Sequence, residues 1–259
     1  MHWEATVAAF AVRRTLQAMV TLVGLSAAVF FLAWVGGEPM NYLSPWERQM
    51  LEAANPDGKF GLDRPLAAQY LDYLSRLVRA DLGPSPSHGR HPVTEIIGRA
   101  IMPTLHLGTM AFGFVLLVGF PLGALAAYSR GGLADILARL AVLAGHSVPQ
   151  FWLAILLILV FGVQLRWLPI AGREGGWQHW VMPTIAAGWF SAAILLRVTR
   201  SAVLEALASD YVRTARAKGL PERTVLSRHA VRSALSPVIT ATALLMAELL
   251  GGIVMVETV

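Results

Sequence analysis

Asp210-Tyr-Val-Arg-Thr-Ala-Arg-Ala-Lys-Gly-Leu-Pro-Glu-Arg-Thr-Val-Leu-Ser-Arg-His-Ala230 decides how this chain is to be read. Between Arg197 and Arg232 the chain carries eight Lys or Arg against three Asp or Glu, a surplus equal to the +5 of all 259 residues. Leu204, Leu207, Ala208, Tyr211, Val212 and Ala215 recur at helical spacing, which predicts one apolar face and a helix running to about Lys218, with Arg213 and Arg216 pointing elsewhere. Gly219 supplies the stop, with φ > 0. Pro221 and Glu222 supply the next start, because proline loses no helix hydrogen bond at N1 and an acid there faces the positive end of the dipole. Taken as pattern, the resulting bend is either a basic connection resting on lipid headgroups or a nucleic-acid-reading helix–turn–helix.

The surroundings are those of a membrane protein. The chain is 56% hydrophobic and 14% charged, with a mean hydropathy of +0.57, too apolar for an ordinary soluble domain and too long for a single anchor. It has no Cys, which excludes a disulfide framework and thiolate chemistry. The basic surplus lies beside apolar runs and reads as membrane topology, so no nucleic-acid partner is expected.

Working outward, Arg13 and Arg14 precede an uncharged run from Thr15 to Val35, so a first span is expected at about 12–35, N-terminus inside. Residues 36–99 hold eight acidic and seven basic residues and seven prolines, which predicts an external loop. Leu66, Tyr70, Leu74, Leu77 and Val78 mark an apolar stripe there, predicting a surface helix from Pro65 to about Ala80. The second domain, 100–259, is expected to hold spans at about 100–129, 133–165, 182–202 and 233–256, with the basic loop 203–229 inside. Gly119-Phe-Pro-Leu-Gly123 should bend the second span and serve packing. Pro149 should break the third, read as one interrupted crossing. Met102-Pro-Thr104 and Met182-Pro-Thr184 place a proline at the first position of a helix each. Trp167, Trp177 and Trp180 mark an outer interface around a short hairpin, Arg166 to His179. Glu248 is the ionisable residue of the last span; it is either solvated near the outer end or part of a path or gate.

Ala215-Arg-Ala-Lys-Gly-Leu220 followed by Arg228-His-Ala230 resembles the cytoplasmic loop of ABC importer permeases, in the form typical of dipeptide, oligopeptide and nickel permeases. Gly37-Glu-Pro39, Gly61-Leu-Asp-Arg-Pro65, Gln69-Tyr70, Asp81-Leu-Gly83 and Ser147-Val-Pro-Gln-Phe-Trp152 are similar to matching stretches of that family, in order and at matching spacing. Arg213-Thr-Ala215 stands where the general pattern has Glu-Ala-Ala, and Val231-Arg232 replaces a later Leu-Pro. The resemblance implies an all-α polytopic membrane protein, the transmembrane domain of a type I ABC importer, with five spans here and the family's sixth missing. It implies a loop that couples to an ATPase through Arg213, Ala215, Arg216, Gly219, Leu220, Pro221, Glu222, Arg223, Val225 and Arg228. Leu220 and Val225 are expected to fill the partner's groove, with Arg216, Arg223 and Arg228 around its rim.

The implied partners are a second permease subunit, two ATP-binding subunits, an external solute-binding protein and the lipid of a bacterial inner membrane. No Gly-x-x-x-x-Gly-Lys-Ser/Thr loop, His-Glu-x-x-His or Gly-x-Ser-x-Gly is present, so no catalytic role and no cofactor are expected, ATP being used by partners. His106 and His146 stand alone within spans and are read as packing residues; no metal site is assigned. Gly175-Gly-Trp-Gln-His179 and Glu248-Leu-Leu-Gly-Gly252 bear a likeness to dedicated nickel or metal-chelate permeases, the alternative within transport. A membrane-anchored nucleic-acid-binding regulator is the alternative from another class.

Overall fold

The computed structural model describes residues 2–35, 44–46, 49, 64–85, 91–172 and 175–257. Gly37-Glu-Pro39 and Gly61 to Asp63 lie outside the described residues. The chain forms two compact units, Met1–Arg99 and Ala100–Val259.

In the first unit, α1 (His2–Val35) contains a membrane-length apolar stretch, Ala9–Val35. Thr15 and Thr21 turn their hydroxyls back on the helix, to the carbonyl of Ala11 at 2.9 Å and to that of Gln17 at 2.8 Å, which satisfies both in an apolar setting. The surface helix α2 (Leu66–Val78) starts after Pro65. The whole predicted stripe does not face inward: Val78 is 88% exposed, and the ring contacts with α1 are made by Tyr70 and by Tyr73, which packs on Phe30 at 6.0 Å; Tyr70 also reaches α1 through its hydroxyl. Its hydroxyl lies 2.8 Å from Ser26 Oγ and donates to the Val23 carbonyl at 3.0 Å, and its ring packs on Phe30 and Phe31. Aromatic side chains thus make the contact expected of the aliphatic stripe.

The second unit is built around α6 (Gln178–Leu207). Its buried positions include Ala186, Ala187, Gly188, Ser191, Ala192 and Ala193, and small residues let neighbouring backbones come close. Helix α3 (Val93–Tyr128) uses this proximity. A Cβ on Gly119 would meet the Ala192 carbonyl oxygen at 2.9 Å, and one on Gly123 would meet the Leu196 carbonyl oxygen at 2.6 Å and Thr199 Cβ at 2.7 Å. The expected bend at Gly119–Gly123 is instead a π turn, Val115–Gly119, inside a continuous helix. The wide turn precedes Pro121, whose ring and missing N–H disturb a regular α ladder.

Helices α4 (Leu133–Ser147) and α5 (Gln150–Gln164, its second half a π helix) meet at 107° across Val148-Pro149. Their contacts run in order along α6: Asp135 with Arg200, Ala138 with Leu196, Gly145 against Ala193, and Gln150 with Ala187. Ala154 and Ile158 then line a cavity with Met182. From Arg200 to Met182, α6 rises about 27 Å at about 1.5 Å per residue, close to a hydrocarbon thickness. The contacts of the broken pair therefore advance along α6, as an interrupted crossing requires. Among the described residues four helices are long and apolar enough to span a membrane, five when this bent pair counts as one.

Both echoed prolines depart from expectation. Pro103 and Pro183 lie inside α3 and α6, not at their first positions. Each removes the N–H that would bond the carbonyl four residues back. Together they line one cavity of about 590 Å³, with Leu107, Ala154, His179 and Trp180.

Candidate functional site

The polar corner after α6 is more sharply folded than its periodicity suggests. The apolar series from Leu204 to Ala215 does not form one helix: α6 ends at Leu207, Ser209 is extended (φ −74°, ψ 155°), and α7 (Asp210–Ala217) starts afresh. Ser209 donates its hydroxyl to the Ala206 carbonyl at 2.5 Å, closing the last turn of α6. The break re-aims the apolar residues, so that Val212 and Ala215 are buried and Tyr211 is 45% exposed.

Helix α7 ends where Gly219 adopts φ +76°. The Gly219 N–H donates to the Arg216 carbonyl at 2.9 Å and the Leu220 N–H to the Ala215 carbonyl at 3.4 Å, the paired bonds of a Schellman stop. Pro221 occupies the N-cap of the next helix and not its first position. Helix α8 begins at Glu222–Thr224, widens into a π segment, Val225–Ala230, and continues as Val231–Glu257, so the return arm and the last span are one rod.

Three features close the corner. Val212, Ala215 and Val225 form their own small core, with Leu207 against it. Arg216 donates to Glu222 through Nη2 at 2.6 Å and Nε at 3.2 Å, a two-point pair across the bend. Arg216 Nη1 also reaches the Leu207 carbonyl at 3.4 Å. At half exposure the ion pair contributes little stability, but its fork geometry fixes the angle between α7 and α8.

This geometry changes the roles of several residues. Val225, expected to fill a partner's groove, is wholly buried against α7 and holds the corner from within. Arg216 and Glu222 neutralise each other instead of standing as separate rim charges. Arg213 pairs with neighbouring Asp210, at 3.2 Å, in solvent. The outward surface consists of Leu220, 37% exposed at the apex, Tyr211, Gly219, Pro221, Arg223 and Arg228. Nothing in the sequence distinguished Tyr211 from the buried side of the stripe; the Ser209 break alone turns it outward.

A second polar feature lies at the broken crossing. His146, Ser147, Gln150, Phe190, Ser191 and Glu248 line a cavity of about 370 Å³. Phe190 and Ser191 fall near the middle of α6, which places Glu248 at mid-length of the bundle and not beyond its end. His146 directs Nδ1 at the Val142 carbonyl, 2.9 Å away, and its ring packs on Phe190. His106 stacks on Trp180 at 4.5 Å. His179, part of the metal-permease likeness, holds its own hairpin, with Nδ1 3.0 Å from the Gly172 oxygen and 3.2 Å from that of Ala171. Among the described residues no three His, Asp or Glu side chains converge.

The comparisons with known proteins agree with this architecture. Residues 119–259 match the family described as binding-protein-dependent transport system inner membrane component. The chain is similar to the glutathione transport system permease protein GsiC of Escherichia coli O6:H1 strain CFT073 and of strain K12, 37% identical over 253 residues in each, covering 96% of this chain and 81% of the relative. To the protein of the same name from Salmonella typhimurium LT2 it is 35% identical over 251 residues, with the same coverage. With a matching family over more than half its length and relatives of this identity along nearly all of it, the chain belongs to the binding-protein-dependent transport system inner membrane components, as an all-α, multi-pass permease of the ABC importer kind.

Proposed function

We propose that the chain forms half of a translocation path for a peptide-like solute, delivered by an external binding protein and driven by separate ATPase subunits docked on α7 and the Gly219–Glu222 turn. The observation that carries this reading is the clamped corner. An eight-residue helix is locked to the end of α6 and the start of α8 by a Schellman stop, a three-residue core and a two-point ion pair. A push on Leu220 is therefore passed to two membrane-length helices as a rigid-body displacement. The peptide-like class is supported by relatives named as glutathione transport permeases. Nothing at His179 favours the nickel or metal-chelate alternative, since that imidazole is taken up by its own hairpin. A nucleic-acid reader fits poorly, because both arms of the corner are tied to spans.

The second permease subunit, two ATP-binding subunits and the inner-membrane setting with a cytoplasmic N-terminus complete the proposal. The test is reconstitution. The chain alone should show no ATP hydrolysis above background; with its partners and loaded binding protein, peptide uptake should track hydrolysis. Robust hydrolysis by the isolated chain, or an assembled complex that moves no peptide, would overturn the assignment.

A further inference from the structure

The cavity at the broken crossing has the chemistry of a receptor for a zwitterion. Val148-Pro149 stops α4 and starts α5, so two helix ends of opposite polarity meet there. Pro149 has no N–H with which to cap α4, whose last bond is from Val148 to the Ala144 carbonyl. The first bond of α5 is from Leu153 to the Pro149 carbonyl, which leaves the N–H groups of Gln150, Phe151 and Trp152 without backbone partners among the described residues. A break of this kind in a membrane-length helix presents an N-terminal positive end and a C-terminal carbonyl end at one depth.

The side chains around it are matched to such a ligand. Ser191 is 2% exposed, lines the cavity, and its hydroxyl has no hydrogen-bond partner among the described residues. A hydroxyl that faces the cavity without a protein partner is available to bond what passes through it. Gln150 makes one long bond, to the Ala187 carbonyl at 3.4 Å, and its remaining amide capacity faces Gly252. Glu248 supplies the cavity's only carboxylate, and His146, with Nδ1 engaged, has Nε2 as its free ring atom.

From the two helix ends, the open hydroxyl and the lone acid, we infer that this cavity is a transit subsite for the head group of a peptide-like zwitterion. Glu248 and the carbonyl end of α4 take the ammonium; the α5 N-terminus, Ser191 and Gln150 take the carboxylate. This rests on the proposed function and adds to it the chemistry recognised along the path. It also gives a use to an acid that is exposed within a membrane-length helix.

The absence of Cys in this chain makes the test direct. In the assembled permease–ATPase complex without binding protein, Ser147→Cys is exposed to a methanethiosulfonate reagent and modification of this chain is followed by mass. S-methylglutathione, which has a free α-ammonium and carboxylate and no thiol, should slow the reaction about tenfold at saturation, as expected for charge-assisted bonds holding the ligand in place. Its N-acetyl derivative should protect far less, and Glu248→Gln in the same background should abolish the difference. Should Glu248→Gln fail to assemble, Ser191→Ala, which removes one hydroxyl, should still weaken protection several-fold. Equal protection by both peptides, protection unchanged in the variants, or a cysteine that the reagent never reaches would each overturn the inference. Peptide uptake by the wild-type complex, measured separately, tells the two failures apart: uptake without protection removes only the subsite, and no uptake removes the functional reading itself.

Discussion

Asp135 and Arg200, 65 residues apart in sequence, meet in a two-point ion pair: Nε to Oδ1 at 2.5 Å and Nη2 to Oδ2 at 3.1 Å. The Asp135 side chain is 2% exposed and that of Arg200 23%. Asp135 also accepts from the Gly131 N–H at 3.0 Å and lies 3.4 Å from Arg139. The start of α4 is thereby tied to the C-terminal half of α6, and the broken helix pair takes its register from that tie.

Removing the acid leaves Arg200 partly buried and unpaired. Asp135→Ala is expected to destabilise the permease by roughly 3 kcal/mol, the usual cost of breaking such a pair from one side. The measurement is thermal unfolding of the detergent-solubilised complex. The reversed pair, Asp135→Arg with Arg200→Asp, should recover part of the loss; recovery of none would show that surrounding dipoles, and not the pair, hold the register.

Gly123 lies against backbone and Thr199 Cβ, neither of which can move aside alone. Gly123→Leu should therefore force α3 from α6 and cost about 2 kcal/mol or more, with poor membrane accumulation. Gly113, where nothing lies within 4 Å of an added Cβ, is the matched control. Equal accumulation of the two variants would remove close packing as the reason for the glycine.

At the corner, surface and support can be separated. Leu220→Asp should abolish copurification of the ATPase, or uncouple hydrolysis from uptake, without altering the stability of the permease. Val225→Ala should cost roughly 2 kcal/mol through its lost burial, and weaken coupling only by loosening α7. Gly219→Val must strain a φ of +76°, by about 1 kcal/mol or more. Arg228→Ala, a single exposed charge, should be mild. Full coupling in all four would make the corner a mere headgroup connector.

The orientation is tested by labelling. With the N-terminus and the corner inside, an impermeant thiol reagent should reach Ser75→Cys in intact cells and leave Lys218→Cys unmodified until the membrane is opened. The reverse pattern would invert the topology.

Composition and order were enough to identify an all-α membrane chain, because apolar runs near 20 residues and clustered Arg have few other meanings in a protein of this length. The Gly219 stop was also legible, since a local backbone conformation is written in adjacent residues. Other features depended on partners distant in sequence. Val212 and Tyr211 belong to the same helical series, and only the Ser209 break, which the period hides, sends one inward and the other out. Pro103 and Pro183 look like helix starts because local rules cannot tell a first turn from an interior position when apolar residues continue on both sides. Asp135 with Arg200, and Glu248 with Ser191 and the α4–α5 break, arise from packing against α6. Sequence determined which segments are helices and that they belong in lipid; tertiary structure decided which polar side chains meet there, because small residues along one helix set the distances at which the others close.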